Sequence, residues 1–263
     1  LQIIDISTLP PTVVKDFKIQ SVKTGNKLAP GTSIFYKDGI VYLGLAKAIV
    51  GNNEFFVIDV GGAGAGGSPT NPVILDSEKI DNGVNSIIVK GDYAYVASPN
   101  NEELKVFDVG TPGSISQVGF FDATGGGGNN GNGKSLNLVG NTLYLGRTLL
   151  NGNEFYILNN VDPETDHQPP LGFKNILNDG SNSSVNGIII RNYLAFLITN
   201  EEFQIWKINV PSSITQYANP LTLPPGTGGG LQGTATDCEG NYIFVGSQSS
   251  NDKGYISIIT GGP

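Results

Sequence analysis

The feature that most constrains this chain is an internal repeat of about 50 residues. An apolar strand with a closing polar–apolar step occurs as Ile3-Ile4-Asp5-Ile6, Val57-Ile58-Asp59-Val60 and Val106-Phe107-Asp108-Val109. It continues as Tyr156-Ile157-Leu158-Asn159, Ile205-Trp206-Lys207-Ile208 and Ile256-Ser257-Ile258-Ile259. A second marker keeps the same period: Tyr42, Tyr95, Tyr144, Ala195 and Phe244 each follow a short polar turn. Those turns are Lys37-Asp38-Gly39, Lys90-Gly91-Asp92, Val139-Gly140-Asn141, Arg191-Asn192 and Glu239-Gly240-Asn241. Two unrelated markers on one period define a structural unit repeated along the chain.

Within one period the sequence reads as four short strands, clearest at 84–90, 93–98, 104–109 and 115–122. Gly91-Asp92 is a tight hairpin turn, because both residues tolerate positive φ. Asn100-Asn101-Glu102-Glu103 and Gly110-Thr111-Pro112-Gly113 break the later strands. No segment of ten or more residues carries a helical period. Composition agrees: 37 of the 263 residues are Gly and only 14% are charged, too few to cover exposed helix faces.

Four antiparallel strands per period describe the blade of a β-propeller, a small sheet that cannot bury both faces alone. First strands beginning near Ser33, Asn85, Ser135, Asn186 and Thr234 predict an all-β, single-domain propeller over 1–263 with five four-stranded blades. The blades span about 31–80, 84–122, 134–177 and 185–223, with strands from 1–19 joined to 233–260 in the last. The alternative is six blades, with residues 1–19 in a blade begun upstream.

The run Val89-Lys90-Gly91-Asp92-Tyr93-Ala94-Tyr95-Val96-Ala97, followed by Leu104-Lys105-Val106-Phe107-Asp108-Val109, resembles the LVIVD-repeat β-propellers. The resemblance implies the propeller fold and an exported or surface protein, often joined to other modules. It implies no catalytic residue, because its motif is structural. The chain departs from the pattern in its Gly-rich insertions and at Ala195, where the aromatic marker is lost.

Charge and residue counts narrow the function. A net charge of −8 and a pI near 4.6 disfavour nucleic acid and anionic membrane surfaces, which need clustered Lys and Arg. The single cysteine, Cys238, excludes an intrachain disulfide and a Cys-cluster metal site. The single histidine, His167, removes multi-His sites and most His-based catalysis. No apolar run reaches the ~18–20 residues of a membrane span, and no leader pattern is present. The chain begins at Leu1 and has no Met, so a processed or excised segment is expected, its export signal or anchor removed. Few charges with abundant Asn, Ser, Thr and Gly point to an extracellular or cell-surface protein.

Several motifs tempt. Gly128-Asn129-Asn130-Gly131-Asn132-Gly133-Lys134-Ser135 matches the phosphate-binding loop pattern, but a strand-like run follows where a helix is needed. Gly62, Gly64 and Gly67 match the dinucleotide fingerprint, but Ser68-Pro69-Thr70-Asn71-Pro72 forbids its helix. These two and 226–230 are expected to be mobile loops, and no cofactor is expected. Asp162, Glu164 and Asp166 beside His167 are weak candidates for a hard cation; without the Gly and closing Glu of a calcium loop, a solvated loop is expected. Cys238 is expected to be partly buried and structural, and Trp206 to pack between blades. Asn182-Ser183-Ser184 is a glycosylation triplet.

What remains is a face built from the loops between second and third strands. It carries Asn52, Asn101, Glu102, Asn151, Asn153, Asn200, Glu201, Asn251 and Asp252, a polar and weakly anionic set. The expected function is a non-enzymatic surface module for protein–protein contact or adhesion, or the exposed domain of a surface filament or anchored protein. Partners would be other protein subunits or surface glycans, in a multi-copy assembly. The alternatives are a lactonase- or lyase-type propeller enzyme, and a ligand-sensing domain of a larger chain.

Overall fold

The computed structural model describes residues 1–19, 23–24, 27–47, 52–62, 64–99, 102–123, 131–149, 152–176, 183–223, 232–248 and 254–260. Every regular element among them is a β-strand, and five antiparallel sheets form the blades of a five-bladed β-propeller. The first blade runs Gly31–Lys37, Ile40–Leu45, Phe55–Asp59 and Val73–Glu78; the second runs Ser86–Lys90, Tyr93–Ala97, Leu104–Asp108 and Ser116–Phe121. The third comprises Asn132–Val139, Thr142–Leu149, Phe155–Asn159 and Gly172–Lys174, with Ser183–Ser184 added beside its second strand. The fourth comprises Gly187–Arg191, Leu194–Ile198 and Glu202–Lys207, with Thr215–Gln216 and Leu221–Thr222 both paired to that third strand. The fifth shows Gln232–Glu239, Tyr242–Gln248 and Gly254–Thr260. Near the N-terminus Gln2–Asp5 pairs with Thr12–Asp16, and Lys23–Thr24 with Lys27–Leu28.

Turn chemistry sets the register. In all five blades a two-residue turn joins the first two strands, so that Lys37 faces Ile40, Lys90 faces Tyr93, Val139 faces Thr142, Arg191 faces Leu194 and Glu239 faces Tyr242. Gly91, Gly140 and Gly240 take φ near +58°, the left-handed conformation such turns require. Asp38-Gly39 and Asn192-Tyr193 have both turn residues at positive φ.

That last turn corrects the sequence marker. Because Tyr193 belongs to the turn, the residue opposite the third strand moves by one. Tyr42, Tyr95, Tyr144, Phe196 and Phe244 are the equivalent residues, facing Val57, Val106, Ile157, Ile205 and Ile258. No aromatic is lost in the fourth blade, and Ala195 occupies the place of Ala94.

The chain divides into two compact units, residues 1–100 with 104–120, and residues 101–103 with 121–263. In the first unit Tyr42, Phe55 and Val57 pack against Ile87, Val89, Ala94, Val96 and Phe107 of the next blade. The other face of the first blade (Val41, Leu43, Phe56 and Ile58) is covered by Leu1, Phe17, Ile19 and Ala29. In the second unit Tyr144, Phe155 and Ile157 pack against Ile188, Ala195, Leu197 and Trp206. The alternation of strand faces explains both cores: residues two apart share a face, and each face meets a different neighbour.

Candidate functional site

The loops between second and third strands were expected to form a solvated polar face. Asn101, Asn151, Asn251 and Asp252 lie outside the described residues. Of the others, Asn52, Glu102, Asn153 and Asn200 are half-buried and Glu201 is exposed. Asn200 accepts a hydrogen bond from Asn186 Nδ2 at 2.9 Å through Oδ1, and its carbonyl accepts the Gly233 amide at 3.1 Å. Leu223 N–H donates to the Glu201 carbonyl at 2.9 Å. The structure therefore employs Asn200 and the Glu201 backbone in holding the fourth blade's loops to neighbouring chain.

A repeated carboxylate next to these loops went unnoticed in the sequence. Glu54, Glu103 and Glu154 precede the third strands of the first three blades, and each is at most 2% exposed. Each accepts a backbone amide from the chain leaving the fourth strand: Ile80 at 2.9 Å, Ala123 at 2.9 Å and Ile176 at 3.0 Å. Asp81 N–H adds a second bond to Glu54 at 3.2 Å. Buried donors and acceptors must be paired, so in each of these three blades one side chain ties down the residue that leaves the fourth strand. In the fourth blade the equivalent Glu202 accepts from Gln204 Nε2 at 2.8 Å, whose Oε1 accepts the Trp206 indole N–H at 2.9 Å. The signal in the sequence is a Glu immediately before the apolar run in the first four blades: Glu54, Glu103, Glu154 and Glu202.

Glu103 also forms a buried ion pair with Arg147 in the second unit. Arg147 Nη1 donates to Tyr156 Oη at 3.0 Å, and its guanidinium lies 5.2 Å from that ring's centre. Gly131 lies against the guanidinium, where a Cβ would collide with it. Burial pushes the Glu103 carboxyl above the usual carboxylate range, with Arg147 and the Ala123 amide pulling it part of the way back. Burial likewise raises the Tyr156 phenol.

The aspartate of the repeat has a local role. Asp5, Asp59 and Asp108 accept the amide two residues on, from Ser7, Gly61 and Gly110, each at 2.8 Å, and Asn159 does so from Val161 at 3.2 Å. These Asx turns end the third strands. Asp59 goes further and corrects the expectation of a mobile Gly-rich loop after it. Its Oδ1 also accepts from Gly62 at 2.9 Å, and its Oδ2 accepts from Ala65 at 3.2 Å and Gly67 at 3.1 Å. A Cβ on Gly62 would overlap the Asp38 carbonyl, and one on Gly67 would overlap Asp59. The loop that resembles a nucleotide fingerprint wraps its amides around the chain's own carboxylate, an anion nest already filled.

Lys134-Ser135 lies within a strand, not at a helix start, and Ser135 Oγ donates to the Val185 carbonyl at 2.6 Å. Residues 226–230 and Asn182 lie outside the described residues. Asp162, Glu164 and Asp166 are exposed, and among the described residues no three acidic, His or Cys side chains converge on a metal position. Asp162 Oδ1 accepts the Glu164 amide at 3.0 Å. His167 departs from the solvated loop expected there: it is 3% exposed, its Nδ1 3.0 Å from the Thr165 carbonyl and its Nε2 3.0 Å from Asn160 Oδ1. Cys238, expected to be partly buried, is exposed, because the fifth blade's first strand is open to solvent along Asp237-Cys238-Glu239. Trp206 is buried in the core between the third and fourth blades, with Lys174 Nζ 5.6 Å from its ring centre.

Residues 83–123 match the LVIVD repeat family. No curated protein sequence matches the chain. Among solved structures, the chain is similar to Sqt1 of Saccharomyces cerevisiae, at 10% identity and a TM-score of 0.56 over 99% of this chain and 79% of that one. It is also similar to a chain of a nidogen/laminin complex, at 12% identity and a TM-score of 0.51 over 89% of this chain and 81% of that one. At such identities these likenesses concern the fold alone.

Proposed function

From a five-bladed propeller bearing an LVIVD repeat at 83–123, we propose a non-enzymatic module for protein–protein contact, displayed at the cell surface or outside the cell in a multi-copy assembly. The observation that carries the reading is the use of the loop carboxylates. Glu54, Glu103 and Glu154 are spent on backbone amides, so the chain at Ile80, Ala123 and Ile176 is fixed before any partner arrives. A preformed surface loses little conformational freedom on binding. The low fraction of charged residues, 14%, supports contact between copies, since few charged side chains would have to be desolvated at an interface. The similar nidogen/laminin structure is a complex between proteins.

The experiment is to label intact source cells with an antibody against the folded domain, and to image the native material by electron microscopy. Surface labelling with several copies per particle is the expected result. A dispersed cytosolic monomer that turns over a small molecule would overturn the proposal.

A further inference from the structure

The second unit contains a cavity of about 400 Å3 between the fourth and fifth blades. Its size lies within the ~300–1,000 Å3 range of small-molecule sites. The walls are apolar: Phe196, Phe203 and Ile205 on the fourth blade, Ile243 and Ile259 on the fifth. Phe196 and Phe203 stack with ring centres 6.1 Å apart. At the rim sits Arg191, an exposed residue whose Nη1 donates to the Gly240 carbonyl and so holds the guanidinium at the opening.

The second and fourth blades show what could fill this cavity, on a rung that carries Ile58 and Leu158 in the first and third. Ala94 faces Phe107, Ala195 faces Trp206, and Ile243 faces Ile259, three equivalent rungs of three blades. Phe107 and Trp206 each reach into the core shared with the preceding blade and are buried there. Isoleucine takes that place in the fifth blade, and Phe196, Ile205, Ile243 and Ile259 stay only partly buried. An aromatic-sized space is left open beside an arginine.

We propose that this cavity binds a small apolar carboxylate, its hydrocarbon or aryl body among Phe196, Phe203, Ile205 and Ile259 and its carboxylate on Arg191. The body matches the walls by burial of apolar surface. The carboxylate matches the one cation among the lining residues, through the planar fork a guanidinium offers an oxyanion. This site goes beyond the protein-contact reading and stands or falls separately from it.

The test is calorimetric titration of the intact chain with decanoate and, as the uncharged counterpart, decanol. Decanoate is expected to bind more tightly than decanol. Arg191→Leu should weaken decanoate about tenfold, the worth of one charge-assisted hydrogen bond, and leave decanol unchanged. Ile259→Trp, which installs the fourth blade's own residue, should abolish binding of both and raise the melting temperature. If that variant fails to fold, Ile243→Phe fills the same space from the neighbouring strand. No decanoate binding by the unaltered protein, equal affinity for acid and alcohol, or binding retained in a folded cavity-filled variant would each overturn the proposal.

Discussion

The contact between the first and second blades and the face of the fifth blade are built on the same rungs and have opposite fates. Phe55 and Val57 of the first blade are fully buried against the second. Their equivalents in the fifth blade, Ile256 and Ile258, are 78% and 61% exposed. Both pairs satisfy the same alternating pattern, so the pattern alone does not bury a side chain. A strand selects which residues share a face; only a neighbouring sheet removes that face from water.

The largest expected effect sharpens this contrast. Phe55→Ala should cost about 3–5 kcal/mol, because the site is tightly packed against Phe107 at 5.3 Å between ring centres and cannot collapse. Ile256→Ala on the equivalent rung should stay within about 0.5 kcal/mol. Denaturant titration of the two variants measures both, and equal losses would break the comparison.

Next is the buried ion pair, a polar device in the second unit. Arg147→Met leaves the Glu103 carboxylate buried without its partner and should cost about 3 kcal/mol or more. The double variant Glu103→Leu/Arg147→Met should recover much of that loss by removing both charges. A double-mutant cycle with no coupling would refute a cooperative pair.

The Asx turns give a smaller, graded effect. Asp59→Ala strands four amides and should cost about 2–3 kcal/mol, while Asp108→Ala, with one such amide, should cost about 1 kcal/mol. Hydrogen exchange at Gly61, Gly62, Ala65 and Gly67 should rise in the first variant. Unchanged exchange would mean the loop is held by something other than Asp59.

The smallest effect is a pH dependence. Burial raises the Glu103 pKa in the folded state, so folding favours its protonated form. Its contribution is fully present below the ordinary carboxylate value of 4.5 and is lost as pH rises through the higher folded value. The stability of Glu103→Gln relative to the unaltered protein should therefore rise over that window and level off above it. A fall across the same window, read from thermal melts, would reverse the assigned cause.

The all-β class, the five-fold repeat and the place of each hairpin are legible in the amino-acid sequence. These depend on local chemistry: alternating apolar residues, and turn residues such as Gly91, Gly140 and Asp38-Gly39 that accept positive φ. Even there one residue misled, because Asn192-Tyr193 turns without glycine and displaced the aromatic marker from Ala195 to Phe196. Tertiary structure decided what each polar group does. Glu54, Glu103 and Glu154 look like loop charges until the following crossover brings an amide to each. His167 looks solvated until Asn160 and the Thr165 carbonyl close around it, and Gly62 and Gly67 look like a phosphate loop until Asp59 fills the nest. Ile258 sits on the rung of the buried Val57, Val106 and Ile157, yet it is 61% exposed. Local preference is written residue by residue, whereas burial and the pairing of buried charge depend on which distant segments arrive, and an amphipathic pattern is compatible with more than one neighbour.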